Sequence, residues 1–165
     1  MHLNRDLGVG DWTTEPCESG DMSPLSELRV RAIMPSLKAV NRFEAIRVVQ
    51  RFSQDFQAEH AFKLLIDGSL AGFYLLYEES EQLYLPYFYI DPSYQASPLG
   101  GAVLSNLIEK AKRLNKGIRI CALKGCQTKH LCLDHGFLAV NEEAYDIYYE
   151  YAYHPVIESQ PEVMA

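Results

Sequence analysis

The segment from Gln95 to Gly101 combines the residue types of a helix start with those of an anion-binding loop. The first turn of a helix has backbone N–H groups without internal partners and the positive end of the helix dipole, so a phosphate is favoured there without any lysine. Gly100 lacks a Cβ and would let a ligand approach the backbone closely. Ser97 and Pro98 also suit a helix start for structural reasons alone. These residues by themselves leave both a phosphate cradle and a capped helix open.

A second group of reactive side chains follows downstream, where Cys121, Cys126, Cys132, His130 and His135 lie close together in the sequence. A zinc site is one interpretation. The sequence has no Cys-x2-Cys pair of the kind that structural zinc sites often supply, so we expect no metal. Reduced thiols in a cytoplasmic protein are the simpler interpretation.

Length and charge narrow the class of protein. The chain has 165 residues, which fits one domain, and its net charge is -7. That charge argues against nucleic-acid binding and mildly favours a cationic partner. No apolar run is long enough for a membrane helix, and the N-terminus lacks the apolar core of a secretory signal. We therefore expect a cytoplasmic protein with no nucleic-acid or membrane partner.

The first half of the chain is predicted to begin with a flexible extension. Residues 1–24 are polar and aperiodic, so the domain is placed at residues 25–155 and a frayed tail at 156–165. Alternation of Leu28, Val30 and Ala32 with charged neighbours predicts a strand. Helical spacing of apolar residues then predicts one amphipathic helix from Ser36 to about Gln54.

The rest of the chain alternates between strand and helix patterns. Residues 61–90 predict a three-stranded antiparallel meander with a tight turn at Asp67-Gly68. Pro86 predicts a bulge or an edge, because it cannot donate a ladder hydrogen bond. A helix over 98–114, a strand near 117–123, a short helix over 127–135 and two further strands follow. The order strand, helix, strand implies a parallel crossover, hence a mixed sheet with helices on its faces.

The segment "YIDPSYQASPLGGAVLSNLIEKAK" followed by "ICALKGCQTKHLCLDHGF" resembles the GNAT superfamily of acyl-CoA-dependent N-acetyltransferases, and the resemblance covers roughly residues 28–151. It implies an α/β fold with a mixed, mostly antiparallel sheet, a central parallel strand pair and flanking helices. It also implies that the loop amides hold the pyrophosphate of acetyl-CoA while the preceding strand end pairs with the pantetheine arm. The cofactor-binding residues that it implies are Phe88, Tyr89, Ile90, Gln95, Ala96, Ser97, Leu99, Gly100, Gly101 and Cys126.

Three positions depart from the family pattern. Pro98 stands for a glycine, and Gly125 or Cys126, depending on the alignment, stands for an asparagine that helps to hold the cofactor. Cys132 occupies the position of the tyrosine that protonates the departing thiolate. A thiol has a suitable unperturbed pKa, near 8.5, so Cys132 is a candidate acid, with His135 one turn on to tune it. Burial as a small hydrophobic residue is the alternative, and a nucleophilic Cys132 with His130 or His135 as base is another.

Tyrosines in the last strand are further candidates for the missing acid. Tyr148 or Tyr149 could supply it, and only one of them can face inward, because alternate strand residues face opposite sides. Packing is the alternative for both. Tyr148 is the second catalytic candidate, after Cys132.

The resemblance predicts acyl transfer from acetyl-CoA to a primary amine by direct attack in a ternary complex, with catalysis mostly by positioning. The acceptor is a small molecule or a peptide, and a homodimer is among the assemblies to be tested. The alternative is a catalytically inactive acyl-CoA-binding or protein-interaction module on the same fold, which the three departures would explain equally well.

Overall fold

A computed structural model describes residues 12–153, which form one seven-stranded sheet in the order β1-β2-β3-β4-β5-β7-β6. Neighbouring strands are antiparallel except for the central pair β4 and β5, which is parallel. The predicted mixed, mostly antiparallel sheet is therefore confirmed. The strands are β1 Trp12–Pro16, β2 Ala61–Ile66, β3 Ser69–Glu78, β4 Gln82–Ile90, β5 Gly117–Leu123, β6 Leu138–Glu142 and β7 Asp146–Tyr151.

The α-helices lie in two layers, one on each face of the sheet. Tyr89 in β4 contacts Arg29 of the first helix, whereas the next residue, Ile90, lies beside Gly100 of the fourth. Successive strand residues face opposite sides, so α1 and α3 cover one face and α4 and α5 the other. The helices are α1 Met22–Ala32, α2 Met34–Lys38, α3 Arg42–Asp55, α4 Leu99–Arg113 and α5 Thr128–Asp134, with 3₁₀ turns at Ser19–Asp21, Ala58–His60 and Pro92–Tyr94.

The N-terminal part of the chain differs from the prediction. Trp12 is 1% exposed and pairs with Ile66, so residues 12–24 belong to the folded domain and not to a flexible extension. The strand predicted around Leu28 and Ala32 is wrong, because both residues lie within α1 and are buried on the inner face of that helix. Their spacing of four residues fits one helix face as well as it fits strand alternation. Residues 1–11 and the tail at 156–165 lie outside the described residues.

The helix predicted over residues 36–54 is divided into α2 and α3. Asn41 accepts a hydrogen bond from the Glu44 amide at 2.8 Å, and the Glu44 carboxylate accepts one from the Asn41 amide at 3.3 Å. This reciprocal capping box begins a new helix at Arg42, inside the apolar periodicity that suggested a single helix.

The predicted meander and its bulge are confirmed. Asp67 and Gly68 both have positive φ, 49° and 82°, as a two-residue hairpin turn requires. In the next pair of strands Leu75 pairs with Tyr87 but Tyr77 pairs with Tyr84, so two residues of β4, Leu85 and Pro86, oppose one residue of β3. The extra residue is a β-bulge.

The bulge also marks the point where β4 leaves β5. The parallel ladder joins Gln82–Leu85 to Gly117–Ile120 and ends there. Tyr87–Ile90 and Cys121–Leu123 therefore diverge instead of pairing. This divergence opens the sheet at the carboxyl ends of its two central strands.

Two properties of the described part of the chain concern cofactors and membranes. Within residues 12–153, no set of three or more His, Cys, Asp and Glu side chains is arranged to hold a metal ion. Over the same residues, no helix has both the length and the apolar character needed to cross a membrane.

Candidate functional site

A cavity of about 170 Å³ lies where β4 diverges from β5, beside the start of α4 and α5. We call it the cleft. Its walls include eight of the ten cofactor-binding residues named from the sequence, namely Phe88, Tyr89, Ile90, Gln95, Ser97, Gly100, Gly101 and Cys126. The sequence did not assign to the cofactor the other lining residues, which are Ala32, Gln127, Thr128, His130, Leu131 and Asp134.

The loop before α4 uses part of its polar groups for its own structure. The Ser97 hydroxyl donates to the Tyr94 carbonyl at 2.6 Å, and the Ser97 amide donates to the same carbonyl at 3.1 Å. The Leu99 amide donates to the Ser97 hydroxyl at 3.3 Å. The first bond of the helix runs from the Ala102 amide to Pro98. The amides that precede it in α4 and have no such partner belong to Gly100 and Gly101.

The two glycines also make the contact between α4 and α5. A Cβ on Gly100 would lie 3.1 Å from the Leu131 side chain, and one on Gly101 would lie 3.3 Å from the His135 ring. Larger residues would push the helices apart. The absence of a side chain therefore serves helix packing as well as access to the backbone.

Two of the predicted cofactor residues are not part of the cleft lining. Leu99 is fully buried in the core, and Ala96 is exposed on the loop. Gln95 is fixed beside the cleft because its side-chain amide donates to the Ile90 carbonyl at 3.1 Å. The cleft is therefore lined by alternate parts of the loop rather than by all of it.

Thr128, which sequence reasoning missed, connects the two sides of the opening. Its hydroxyl donates to the Phe88 carbonyl at 3.1 Å, and both groups are buried. Thr128 is the first residue of α5, so the bond ties that helix to the free end of β4. Neighbouring Cys126 is buried in the cleft wall, and burial raises the pKa of its thiol.

The comparison with known families decides the identity of the domain. A model described as the Acetyltransferase (GNAT) family matches residues 31–137. The chain belongs to the GNAT acetyltransferase family. A search of curated protein sequences finds no match.

Solved structures show the same fold at low identity. A PaiA N-acetyltransferase from Thermoplasma acidophilum in complex with coenzyme A aligns with a TM-score of 0.71 and 14% identity, over 86% of this chain and 99% of that chain. The ribosomal-protein-S18-alanine N-acetyltransferase from Escherichia coli aligns with a TM-score of 0.63 and 19% identity, over 89% and 97% of the two chains. Ard1 from Thermoplasma volcanium aligns with a TM-score of 0.60 and 13% identity, over 87% of this chain and 99% of that chain.

Cys132 does not lie in the cleft of this GNAT domain. Its side chain is 0% exposed, and burial raises the pKa of the thiol to about 12. Cys132 is not among the residues that line the cleft, whereas a proton donor must reach the departing thiolate, so the structure argues against the acid role. No hydrogen bond within residues 12–153 joins Cys132 to His130 or His135, and the His135 ring instead contacts the Leu131 carbonyl through Nδ1 at 2.9 Å. The alternative of a buried hydrophobic residue describes Cys132 best.

Tyr148 also lies outside the cleft. Its hydroxyl donates to Glu143 at 3.0 Å, and its ring lies 4.5 Å from the Arg119 guanidinium carbon. Tyr149, the alternative, is 2% exposed and faces the other side of the sheet. Both catalytic candidates from the sequence are therefore absent from the lining of the cleft, because packing and strand alternation direct them elsewhere.

A buried cation lies behind the cleft wall of the GNAT domain. The Arg29 guanidinium carbon is 5.6 Å from the Tyr89 ring, 5.1 Å from Tyr87 and 5.8 Å from Phe52. Nη1 donates to the Val48 carbonyl at 3.0 Å, whereas Nε and Nη2 have no partner among the described residues. Cation–π contact replaces the usual carboxylate partner. The sequence did not predict this contact, because the segment around Arg29 was predicted to be a strand and not a helix.

Gly72 in β3 lies close to the residues of β4 that form the wall of the cleft. A Cβ there would lie 2.8 Å from the Tyr89 carbonyl oxygen and 2.9 Å from the Ile90 side chain. We expect Gly72→Ala to lower the free energy of unfolding by about 1–3 kcal/mol, because the backbone of β4 must shift. Urea denaturation measures the change. Gly20→Ala is the control, since a Cβ on Gly20 meets nothing within 4 Å. Equal stabilities of the two variants would contradict the expectation.

Proposed function

We propose that this GNAT domain transfers an acyl group from acetyl-CoA to a primary amine by direct attack in a ternary complex. The observation that supports it is the divergence of β4 and β5 at the Leu85–Pro86 bulge, directly beside the start of α4. A bound acyl-CoA would find unpaired strand edge and unpaired helix amides together in that opening.

The chain's own residues would hold the cofactor by backbone groups. The amides of Gly100 and Gly101 are suited to the pyrophosphate, since negative charge is favoured at the start of α4. The edge of β4 from Phe88 to Ile90 forms no ladder with β5, so it is suited to the amide groups of the pantetheine arm. Acetyl-CoA would supply the activated acyl group as a thioester. Gln95 and Thr128 keep the edge of β4 in place through the Ile90 and Phe88 carbonyls.

Tyr89 is the residue to which we assign protonation of the departing thiolate. It lies in the cleft wall and is in contact with the Arg29 guanidinium. Burial raises the pKa of the Tyr89 phenol, and the positive charge of Arg29 opposes that rise. A cation beside a phenol stabilises the phenolate that remains after proton transfer. The assignment gives the acid role to a side chain on the α1–α3 face instead of to Cys132.

A second candidate function is an acyl-CoA-binding or protein-interaction module without catalysis. It is favoured by the position of Cys132 and Tyr148, since neither residue lines the cleft. Such a protein would bind acyl-CoA but would not transfer the acyl group to any amine.

Thermal unfolding with and without acetyl-CoA tests the cofactor. Binding to the folded state stabilises it by about 2.7 kcal/mol at one hundred times Kd, so we expect Tm to rise in the presence of millimolar acetyl-CoA. Gly101→Val should reduce the rise, because its side chain would press on the His135 ring and displace the start of α4, whereas Gly20→Val should keep it. No rise for the unmodified protein would refute acyl-CoA binding.

Thiol release across a panel of amines then separates the two functions. Release that depends on the amine supports the transferase, while a rise in Tm without release for any amine supports the binding module. A peptide, a polyamine and free amino acids represent the acceptor classes.

A further inference from the structure

A second cavity, of about 310 Å³, lies between α3 and the turn that joins β6 to β7. We call it the α3 cavity. No Asp or Glu is among its lining residues, although the whole chain has a net charge of -7. Two of the residues are arginines, so the lining residues themselves carry two positive charges. The lining consists of Arg47, Val48, Gln50, Arg51, Gln54 and Tyr145.

The arginines retain donors that the protein does not use. Arg51 donates to the Asp146 carboxylate through Nη1 at 2.9 Å and Nη2 at 2.6 Å, but its buried Nε has no partner among the described residues. Arg47 forms no ion pair within residues 12–153, and its guanidinium carbon lies 5.8 Å from the Phe43 ring. A buried N–H without a partner costs free energy, which a hydrogen-bonding ligand would recover.

The acids near the α3 cavity are already engaged. Asp146 is 5% exposed and is held by Arg51, and Glu44 accepts a hydrogen bond from the Tyr145 hydroxyl at 2.9 Å. Their two negative charges formally balance the two arginines, and the arginine of the lining that has no ion pair within residues 12–153 is Arg47. The side-chain amides of Gln50 and Gln54 add neutral donors beside it.

The α3 cavity lies on the sheet face opposite the cofactor loop. The Val48 carbonyl in its wall accepts the hydrogen bond from Arg29, which contacts Tyr89 in the cleft wall. Asp146, which holds Arg51, is paired in the sheet with Leu123 at the end of β5. A second substrate must reach the cleft from a side that α4 and α5 leave free. An acceptor that enters on the α3 side would meet the α3 cavity, which shares no lining residue with the cleft.

We propose that the α3 cavity binds a carboxylate carried by the amine acceptor, so that the substrate is an amino acid or a peptide with an acidic side chain. The proposal rests on the acyl-transfer function proposed above and deepens it. Guanidinium groups bind carboxylates through paired, charge-assisted hydrogen bonds. This acceptor differs from the cationic one that the net charge of the chain favours. A bound ligand interacts most strongly with the charges of its own site, because salt screens the more distant charges of the protein.

Binding of succinate tests the cavity without requiring turnover. Succinate is titrated into the protein saturated with coenzyme A, and its affinity is followed by NMR. We expect Arg47→Gln to weaken binding by about tenfold, the usual effect of losing one hydrogen bond to a charged group. Arg113→Gln, which removes the same charge from the end of α4 on the opposite face, should leave the affinity unchanged. Equal affinities for the two variants, or no binding at all, would overturn the proposal.

Turnover of matched acceptors tests the same inference in the reaction. Leucine is compared with leucinamide, and a peptide amide that has aspartate at its second position is compared with its asparagine counterpart. We expect the carboxylate member of one pair to have the higher kcat/KM and Arg47→Gln to remove the advantage. The pair that responds shows whether the carboxylate comes from an amino acid or from a peptide.

The two experiments distinguish the cavity from the transferase function. If Arg47 controls succinate binding but no amine is acetylated, carboxylate binding is supported and the transferase function fails. If amines are acetylated equally with and without a carboxylate, the transferase function is supported and the present proposal is overturned.

Discussion

Replacement of Tyr89 by phenylalanine is expected to lower kcat for acyl transfer by about one hundredfold, the lower range of what a positioned acid contributes. The ring remains and still contacts Arg29 and Phe73, so the fold and the cleft wall should be preserved. Only the hydroxyl that would protonate the thiolate is lost. KM for acetyl-CoA should therefore change little, because the proposed cofactor contacts are backbone groups. Steady-state thiol release at saturating amine measures both constants.

Two conservative variants serve as controls for that result. Tyr84→Phe removes a hydroxyl from the same strand before the bulge, and Tyr148→Phe removes the hydroxyl bound to Glu143. Both variants should keep the kcat of the unmodified protein. If Tyr89→Phe keeps it as well, another group protonates the thiolate, whereas a loss shared by all three variants would indicate a general effect on packing.

Phe52→Ala is expected to lower the free energy of unfolding by about 3–5 kcal/mol. Phe52 is fully buried between α3 and the sheet, and its ring lies 5.4 Å from Phe73 and 5.0 Å from Tyr87. Truncation removes these ring contacts and leaves a cavity. It also takes away one of the three rings around the Arg29 guanidinium, which leaves a buried charge less well stabilised.

Urea denaturation followed by tryptophan fluorescence measures this loss, since Trp12 is the sole tryptophan of the chain. The matched control is Phe43→Ala on the same helix, where the side chain is 67% exposed. Its change should stay within about 0.5 kcal/mol, as for ordinary surface substitutions. A Phe52→Ala variant as stable as Phe43→Ala would show that α3 is not packed on the sheet as described.

Local patterns predicted those parts of the fold that local chemistry determines. Asp67-Gly68 indicates a tight turn because both positions need positive φ, and Pro86 indicates a bulge because it lacks an amide. Gly100 and Gly101 correctly marked the start of α4. Each of these inferences depends on the backbone of one or two residues, which the sequence states directly.

The remaining features depend on contacts between distant segments, which the sequence does not state. Leu28 and Ala32 fit a strand and a helix equally well, and only the packing of α1 on β4 decides between them. The family resemblance places Cys132 at the position of a catalytic tyrosine, yet its orientation on α5 is set by the surrounding core. The contact between Arg29 and Tyr89 joins residues sixty positions apart in the chain. The candidate acid, Tyr89, and the α3 cavity could therefore be identified only from the structure.

The bulge in β4 determines on which face of the sheet each later side chain of that strand lies. Tyr77 and Leu75 lie on one face of β3, yet their partners Tyr84 and Tyr87 are three positions apart instead of two. If the same residues paired with β3 without a bulge, every side chain of β4 after Leu85 would lie in the opposite layer. Ile90 would then face Arg29, and the Tyr89 hydroxyl would enter the layer of α4. The extra residue of the bulge therefore determines that Tyr89 lies in the layer of α1 and Ile90 in the layer of α4.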